Sequence, residues 1–143
     1  MRAQETAQRC AELMWKGDNA SQSLGMEIVD VAPGRATIRM TVRDDMVNGH
    51  GIGHGGFTFS LADSAFAFAC NTYNRRTVAQ SAEIAFRAPT RLGDVLTAEA
   101  VERDRVGREG TYDVTVRNGD AVVAEFTGRS KEVRGSFFEG EQP

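Results

Sequence analysis

Apolar positions along this chain recur with two periods, and the switches between them outline a fold. From Ala3 to Trp15, Ala7, Cys10, Ala11 and Met14 fall on one stripe, which predicts a short amphipathic helix. Asp18, Asn19 and Ser21 then break the pattern. Leu24 to Val31 reads as a strand, and Pro33-Gly34 as a turn. From Arg35 to Val42 the period drops to two: Ala36, Ile38, Met40 and Val42 face one way, Thr37, Arg39 and Thr41 the other. Residues 43–53 read as loop. His54 to about Asn71 is apolar nearly all round, the mark of a helix buried on most sides.

Strand patterns follow. Thr77 to Phe86 leans to β structure. Leu96, Ala98 and Ala100 alternate with Thr97, Glu99 and Val101. Tyr112, Val114 and Val116 alternate with Thr111, Asp113, Thr115 and Arg117. Asn118-Gly119 is the strongest hairpin signal, and a strand from Val122 to Val133 comes after it. The predicted order is helix, two strands, long helix, four strands. Short strand connections imply a mostly antiparallel sheet of about six strands, so the expected class is α+β. The apolar helix can bury itself only on the concave face of that sheet. One domain over 1–143 is expected, with an N-terminal helix in residues 1–20 and a flexible polar tail in residues 134–143.

Composition agrees with one domain. At 143 residues, folding buries roughly 68–70% of the unfolded chain's surface, enough for a core without staples. A formal net charge of −3 argues against a general nucleic-acid binder, while leaving open a local basic patch for a phosphorylated ligand. Cys10 and Cys70 form no zinc or disulfide pattern, which fits free thiols in the cytosol. The first twenty residues lack the apolar run of a signal peptide. The longest apolar stretch is too mixed to span a membrane. A cytoplasmic location without membrane association is expected.

Candidate chemistry concentrates in the long helix. From Gly51 to Asn74 the only charged side chain is Asp63, with Phe59, Ser60, Phe66 and Ala67 at helical spacing around it. A buried carboxylate without a partner has a raised pKa or a high energetic cost, so it usually has a task. Upstream, Gly55 and Gly56 leave backbone N–H groups unscreened where the helix begins, a place for negative charge developing on an oxygen. A base and an oxyanion site in one helix outline a hydrolase.

Other motifs carry less. His50 and His54 are four apart, but no third ligand stands at a fitting distance, so no metal is assigned. Gly51-Ile52-Gly53-His54-Gly55-Gly56 has the spacing of a dinucleotide fingerprint but follows a polar loop rather than a buried strand. Ser60 and Ser64 lack the elbow of a serine hydrolase. Arg103, Arg105 and Arg108 read as a solvated hairpin end or as phosphate contacts.

Three motifs carry a resemblance: Asn48-Gly49-His50, His54-Gly55-Gly56, and Ser60-Leu61-Ala62-Asp63-Ser64-Ala65-Phe66. It extends to Phe86-Arg87-Ala88-Pro89, Tyr112-Asp113-Val114 and Gly128-Arg129-Ser130. Together these resemble the hotdog-fold acyl-CoA thioesterases of the phenylacetic acid degradation (PaaI) type, from about Leu24 to Val133. The resemblance implies hydrolysis of phenylacetyl-CoA or ring-hydroxylated relatives. Asp63 would be nucleophile or general base, the Gly55 N–H would polarise the carbonyl, and Asn48 and His54 would support the site. Gly56, Ser64, Arg87, Pro89, Arg129 and Lys131 would contact substrate, the basic ones holding coenzyme A phosphates. No cofactor is implied, coenzyme A being part of the substrate. A homo-oligomer is implied as well: a dimer with shared active sites, pairing into a tetramer.

Overall fold

Alternation of inward apolar and outward polar residues builds a single sheet here, and the one uniformly apolar segment fills it. The computed structural model describes residues 1–139. In chain order the elements are α1 (Ala3–Gly17), α2 (Asn19–Ser23), β1 (Glu27–Ala32), β2 (Arg35–Thr41), a 3-10 turn (Asp44–Met46) and α3 (Gly55–Cys70). Then come β3 (Thr77–Phe86), β4 (Val95–Val106), β5 (Glu109–Asn118) and β6 (Ala121–Glu132). The six strands form one sheet in the order β1-β2-β4-β5-β6-β3, and every pairing is antiparallel.

The inward face is set by the period-two positions. Ala36, Ile38 and Met40 of β2, Leu96, Ala98 and Ala100 of β4, and Tyr112, Val114 and Val116 of β5 are all buried. Across them lies α3, which contributes Leu61, Ala62, Ala65, Phe66 and Ala69. The Phe66 ring packs between Tyr112 and Phe126, each 5.7 Å away between centroids. Gly128 on β6 makes room for that ring, since a Cβ there would lie 2.8 Å from it. The length of a side chain at one β6 position therefore sets how closely α3 approaches the sheet. At the other end, α1 closes over α3 with Trp15 against Phe68 at 6.3 Å.

Several elements differ from the sequence expectation. The break at Asp18, Asn19 and Ser21 is a one-turn helix, α2, because Asp18 caps it by accepting from the Ser21 N–H at 3.0 Å. The first strand begins at Glu27 rather than Leu24, since Gly25 turns the chain at φ +72°. β4 runs on to Val106, well past the alternating stretch, because Arg103–Val106 are exposed and need no inward apolar side chain. The Asn118-Gly119 hairpin forms as expected, with Asn118 paired to Ala121 and Gly119 at φ +62°.

Of the stretch read as a tail, Gly135–Phe138 is tied to the body. Gly135 O accepts from the Arg76 N–H, and the Asn74 side chain bonds Phe137 and Phe138. Residues 140–143 of that expectation lie outside the described residues. No described helix is long and apolar enough to cross a membrane.

Candidate active site

The head of α3 is left uncapped. His54 occupies the N-cap position at ψ 134°, yet its side chain makes no capping hydrogen bond. Its backbone does the orienting: its N–H donates to Met46 O at 2.9 Å, and its carbonyl accepts from Phe57 N at 3.1 Å. The imidazole is exposed. Among the described residues no loop carbonyl accepts from the N–H of Gly55 or Gly56. These are the orphan donors of a helix N-terminus, with the positive end of the helix dipole behind them. Gly56 is open to solvent, while Gly55 lies under the Phe86 ring, where a Cβ would come within 2.8 Å.

The loop before the helix is organised by Asn48. Its Oδ1 accepts from His50 N at 2.9 Å and Ile52 N at 3.1 Å, while its own N–H donates to Ile52 O at 2.9 Å. Gly53 N then donates to Thr90 O at 2.8 Å, which joins this loop to the chain after Pro89. Asn48 thus supports the head of α3 by fixing its approach.

Asp63 lies on the half-buried side of α3. Among the described residues it forms no ion pair and no side-chain hydrogen bond. Burial raises its pKa above the ordinary carboxylate range, and the negative charge of Asp18 raises it further. A base pushed toward neutral pH is the kind of group that moves protons efficiently. Next to it, Ser64 Oγ is 2.8 Å from Ser21 Oγ, and Ser21 donates to Asp18 Oδ2 at 2.7 Å. Ser21 has one hydroxyl proton, so Ser64 must donate to Ser21. The Ser64 proton therefore points at α2, although its oxygen can still accept.

Within one chain two groups of candidates stand apart from Asp63. Gly55 and Asp63 are eight residues apart on one helix, which is a rise of about 12 Å. One thioester carbonyl is far too small to touch both. The basic candidates lie elsewhere. Arg87 and Pro89 follow Phe86, beside the head of α3, and Arg87 pairs with Glu125 at 2.9 Å. Arg129 and Lys131 alternate on β6 with the inward residues Gly128 and Ser130, so they point from the outer face of the sheet, the face that also carries Glu125, the partner of Arg87. Within one chain they do not meet Asp63. Arg103 is taken by Asp113, and Arg105 stacks on Tyr73 at 3.6 Å. Burial pushes the Cys70 thiol up to about 12, which suits a core residue and not a nucleophile. Among the described residues no group of three metal-ligating side chains occurs.

Asp18 and Ser21 were not legible as part of this site. The available signal was an aspartate just before a short segment, which marks a helix cap as readily as a break.

A helix laid in a curved, fully antiparallel sheet, with this uncapped head and isolated carboxylate, is the hotdog arrangement of a thioester hydrolase. Residues 50–125 match the family model of the Thioesterase superfamily. Over 128 residues the chain is 40% identical to Acyl-coenzyme A thioesterase PaaI of Escherichia coli strain K12, covering 89% of this chain and 91% of that protein. The structure of the E. coli PaaI protein from the phenylacetic acid degradation operon superposes with a TM-score of 0.92 at 38% identity, covering 94% and 99% of the two chains. A mutant of the phenylacetic acid degradation protein PaaI from Thermus thermophilus gives 0.76 at 39% identity, covering 79% and 97%. The chain belongs to the Thioesterase superfamily, in its PaaI-type hotdog branch.

Proposed function

We propose that this enzyme hydrolyses the thioester of phenylacetyl-CoA or ring-hydroxylated phenylacetyl-CoA, giving the free acid and coenzyme A. The observation that carries the chemistry is the isolated, half-buried Asp63 carboxylate on a helix whose head offers unpaired backbone donors. The choice of acyl group rests on the PaaI relatives.

Asp63 acts in one of two balanced ways. As a general base it takes a proton from water while the hydroxide adds to the carbonyl carbon. As a nucleophile it adds directly, expels the thiolate and leaves an anhydride that water cleaves. In both, the carbonyl oxygen gains negative charge, which the Gly55 N–H of the partner protomer stabilises. Thiolate is a good leaving group, so no strong acid is needed, and water is the only co-reactant. Arg87, Arg129 and Lys131 supply positive charge for the coenzyme A phosphates.

The separation of about 12 Å between Gly55 and Asp63 supports a shared site, in which Asp63 of one protomer works with Gly55 of its partner. β3 supports the same reading. It is a ten-residue edge strand, exposed over most of its length, with Val78 and Phe86 presenting apolar surface. Such an edge invites pairing with another chain. A dimer, pairing further into a tetramer, and a cytoplasmic location complete the reading.

The test is thiol release from a panel of acyl-CoAs by the wild type and Asp63→Asn. Phenylacetyl-type esters should be turned over fastest, and the substitution should cost about 10²–10⁴-fold. Undiminished turnover in Asp63→Asn would reject the role of Asp63. A preference for long aliphatic chains would reject the acyl assignment.

A further inference from the structure

We propose that Asp18, at the junction of α1 and α2, is a positioning residue for the hydrolytic site: it holds Asp63's helix in place through Ser21 and Ser64, and sets a second, uncompensated negative charge beside the Asp63 carboxylate. This rests on the reading of Asp63 given above. The mechanical part is a chain of short hydrogen bonds. Asp18 accepts from Ser21 N at 3.0 Å and from Ser21 Oγ at 2.7 Å, and Ser64 bonds Ser21 at 2.8 Å. Ser21 is 1% exposed, so this link is shielded from water and is not a passing surface contact. Ser64 follows Asp63 directly, so the link fixes the turn of α3 that carries the carboxylate.

The electrostatic part comes from what is missing around the pair. Four carboxylates on the strands packed under α3 are engaged by arginine, Glu99 by Arg35, Glu102 by Arg105, Asp113 by Arg103 and Glu125 by Arg87, while Asp30, Asp104 and Glu109 are exposed to solvent. Among the described residues neither Asp18 nor Asp63 has a cation. The other titratable groups near Asp63 are few. Cys70 faces it from the same helix, and Tyr112 reaches Cys70 from β5 while bonding Glu102. Glu83 of β3 is exposed. The remaining side chains turned toward α3, such as Ile38, Met40, Leu96 and Phe126, do not titrate. Asp18 is therefore the charge that opposes ionisation of Asp63, in agreement with the direction of its shift. A cap alone does not need this charge, because asparagine caps helices as well as aspartate.

The experiment compares the pH dependence of kcat/KM for the full-length wild type, Asp18→Asn, Ser64→Ala and Asp63→Asn, on the acyl-CoA turned over fastest in the panel. Asp18→Asn removes the charge and keeps one acceptor, Oδ1, for the Ser21 N–H; its Nδ2 group donates to Ser21 Oγ, whose proton turns to Ser64, so the link persists with its direction reversed and the acid limb should move to lower pH. Ser64→Ala breaks the link but keeps the charge. It should lower kcat by about two- to tenfold with KM and the acid limb in place. An Asp18→Asn profile that coincides with wild type, beside an inactive Asp63→Asn, would overturn this proposal and leave the reading of Asp63 standing. Full activity in Asp63→Asn would instead overturn the reading on which it rests.

Discussion

Replacing Gly128 by alanine puts one methyl group where the structure has no room for it. A Cβ at this position would lie 2.8, 2.8 and 2.9 Å from three atoms of the Phe66 ring. Carbon atoms pack best at about 3.5–4.0 Å, so ring and strand must separate by about 0.7 Å or more. The ring cannot swing away. Phe66 is 1% exposed and is held between Tyr112 and Phe126. Overpacking of this kind costs about 1–3 kcal/mol. At about 3 °C per kcal/mol for a domain near this size, the melting temperature should fall by about 3–9 °C. Activity should fall with it, because Phe66 lies one turn after Asp63 and the displacement lifts that turn of α3. Misplacement of a reacting group by an ångström can cost as much as about 10²-fold, so a loss near tenfold in kcat/KM is expected. Thermal unfolding followed by circular dichroism, with thiol release on the same samples, measures both. Gly56→Ala is the control: nothing lies within 4 Å of its Cβ, and it should stabilise by about 0.4–1 kcal/mol. Unfolding of Gly128→Ala at the wild-type temperature with unchanged turnover would refute the packing argument.

Other outcomes follow from the same geometry. Asp63→Asn should raise the melting temperature at neutral pH while removing activity. A carboxyl whose folded pKa is raised loses stability as pH climbs from its ordinary range through the folded value, so the gain should vanish in acid, where wild-type Asp63 is protonated. Melting curves across pH check the sign. Asn48→Ala removes the acceptor for His50 N and Ile52 N, so it should cost about 1–2 kcal/mol and lower kcat, measured by unfolding and thiol release. Val78→Lys charges the exposed edge of β3, 49% exposed in the single chain. It should shift the size-exclusion profile toward a single chain and reduce turnover in parallel.

The sequence pattern located α3 to within a residue at each end, because uniform apolarity bounded by glycines and Asn71 has few other meanings. β3 and the Asn118-Gly119 hairpin were equally legible, from composition and from turn chemistry. α2 was not. A five-residue helix has no periodicity to read, and its capping aspartate signals a break in the same letters. The outer half of β4 was lost because exposed strand residues do not alternate. Asp63 and Gly55 were legible as chemistry, and the resemblance implied that they pair across a dimer; on one helix they stand about 12 Å apart. Ser64 was expected at the substrate, and its proton belongs to Ser21. That Arg87, Arg129 and Lys131 share the outer face of the sheet was not legible until the register of β6 set Glu125, Arg129 and Lys131 on one side.

The central claim, a site that joins Asp63 of one protomer to Gly55 of its partner, is tested most directly by subunit complementation. Gly55→Pro deletes the relevant N–H while keeping the helix, because proline is tolerated at the first helical position and His54 already has the extended backbone that precedes proline. The Phe86 ring that the new Cβ would meet is 55% exposed and can turn aside. Gly55→Pro and Asp63→Asn homodimers should each be nearly inactive. After denaturation and refolding together, half of the dimers carry one intact and one doubly damaged site, so the mixture should recover about a quarter of wild-type thiol release. No recovery above the two separate variants would contradict the shared site.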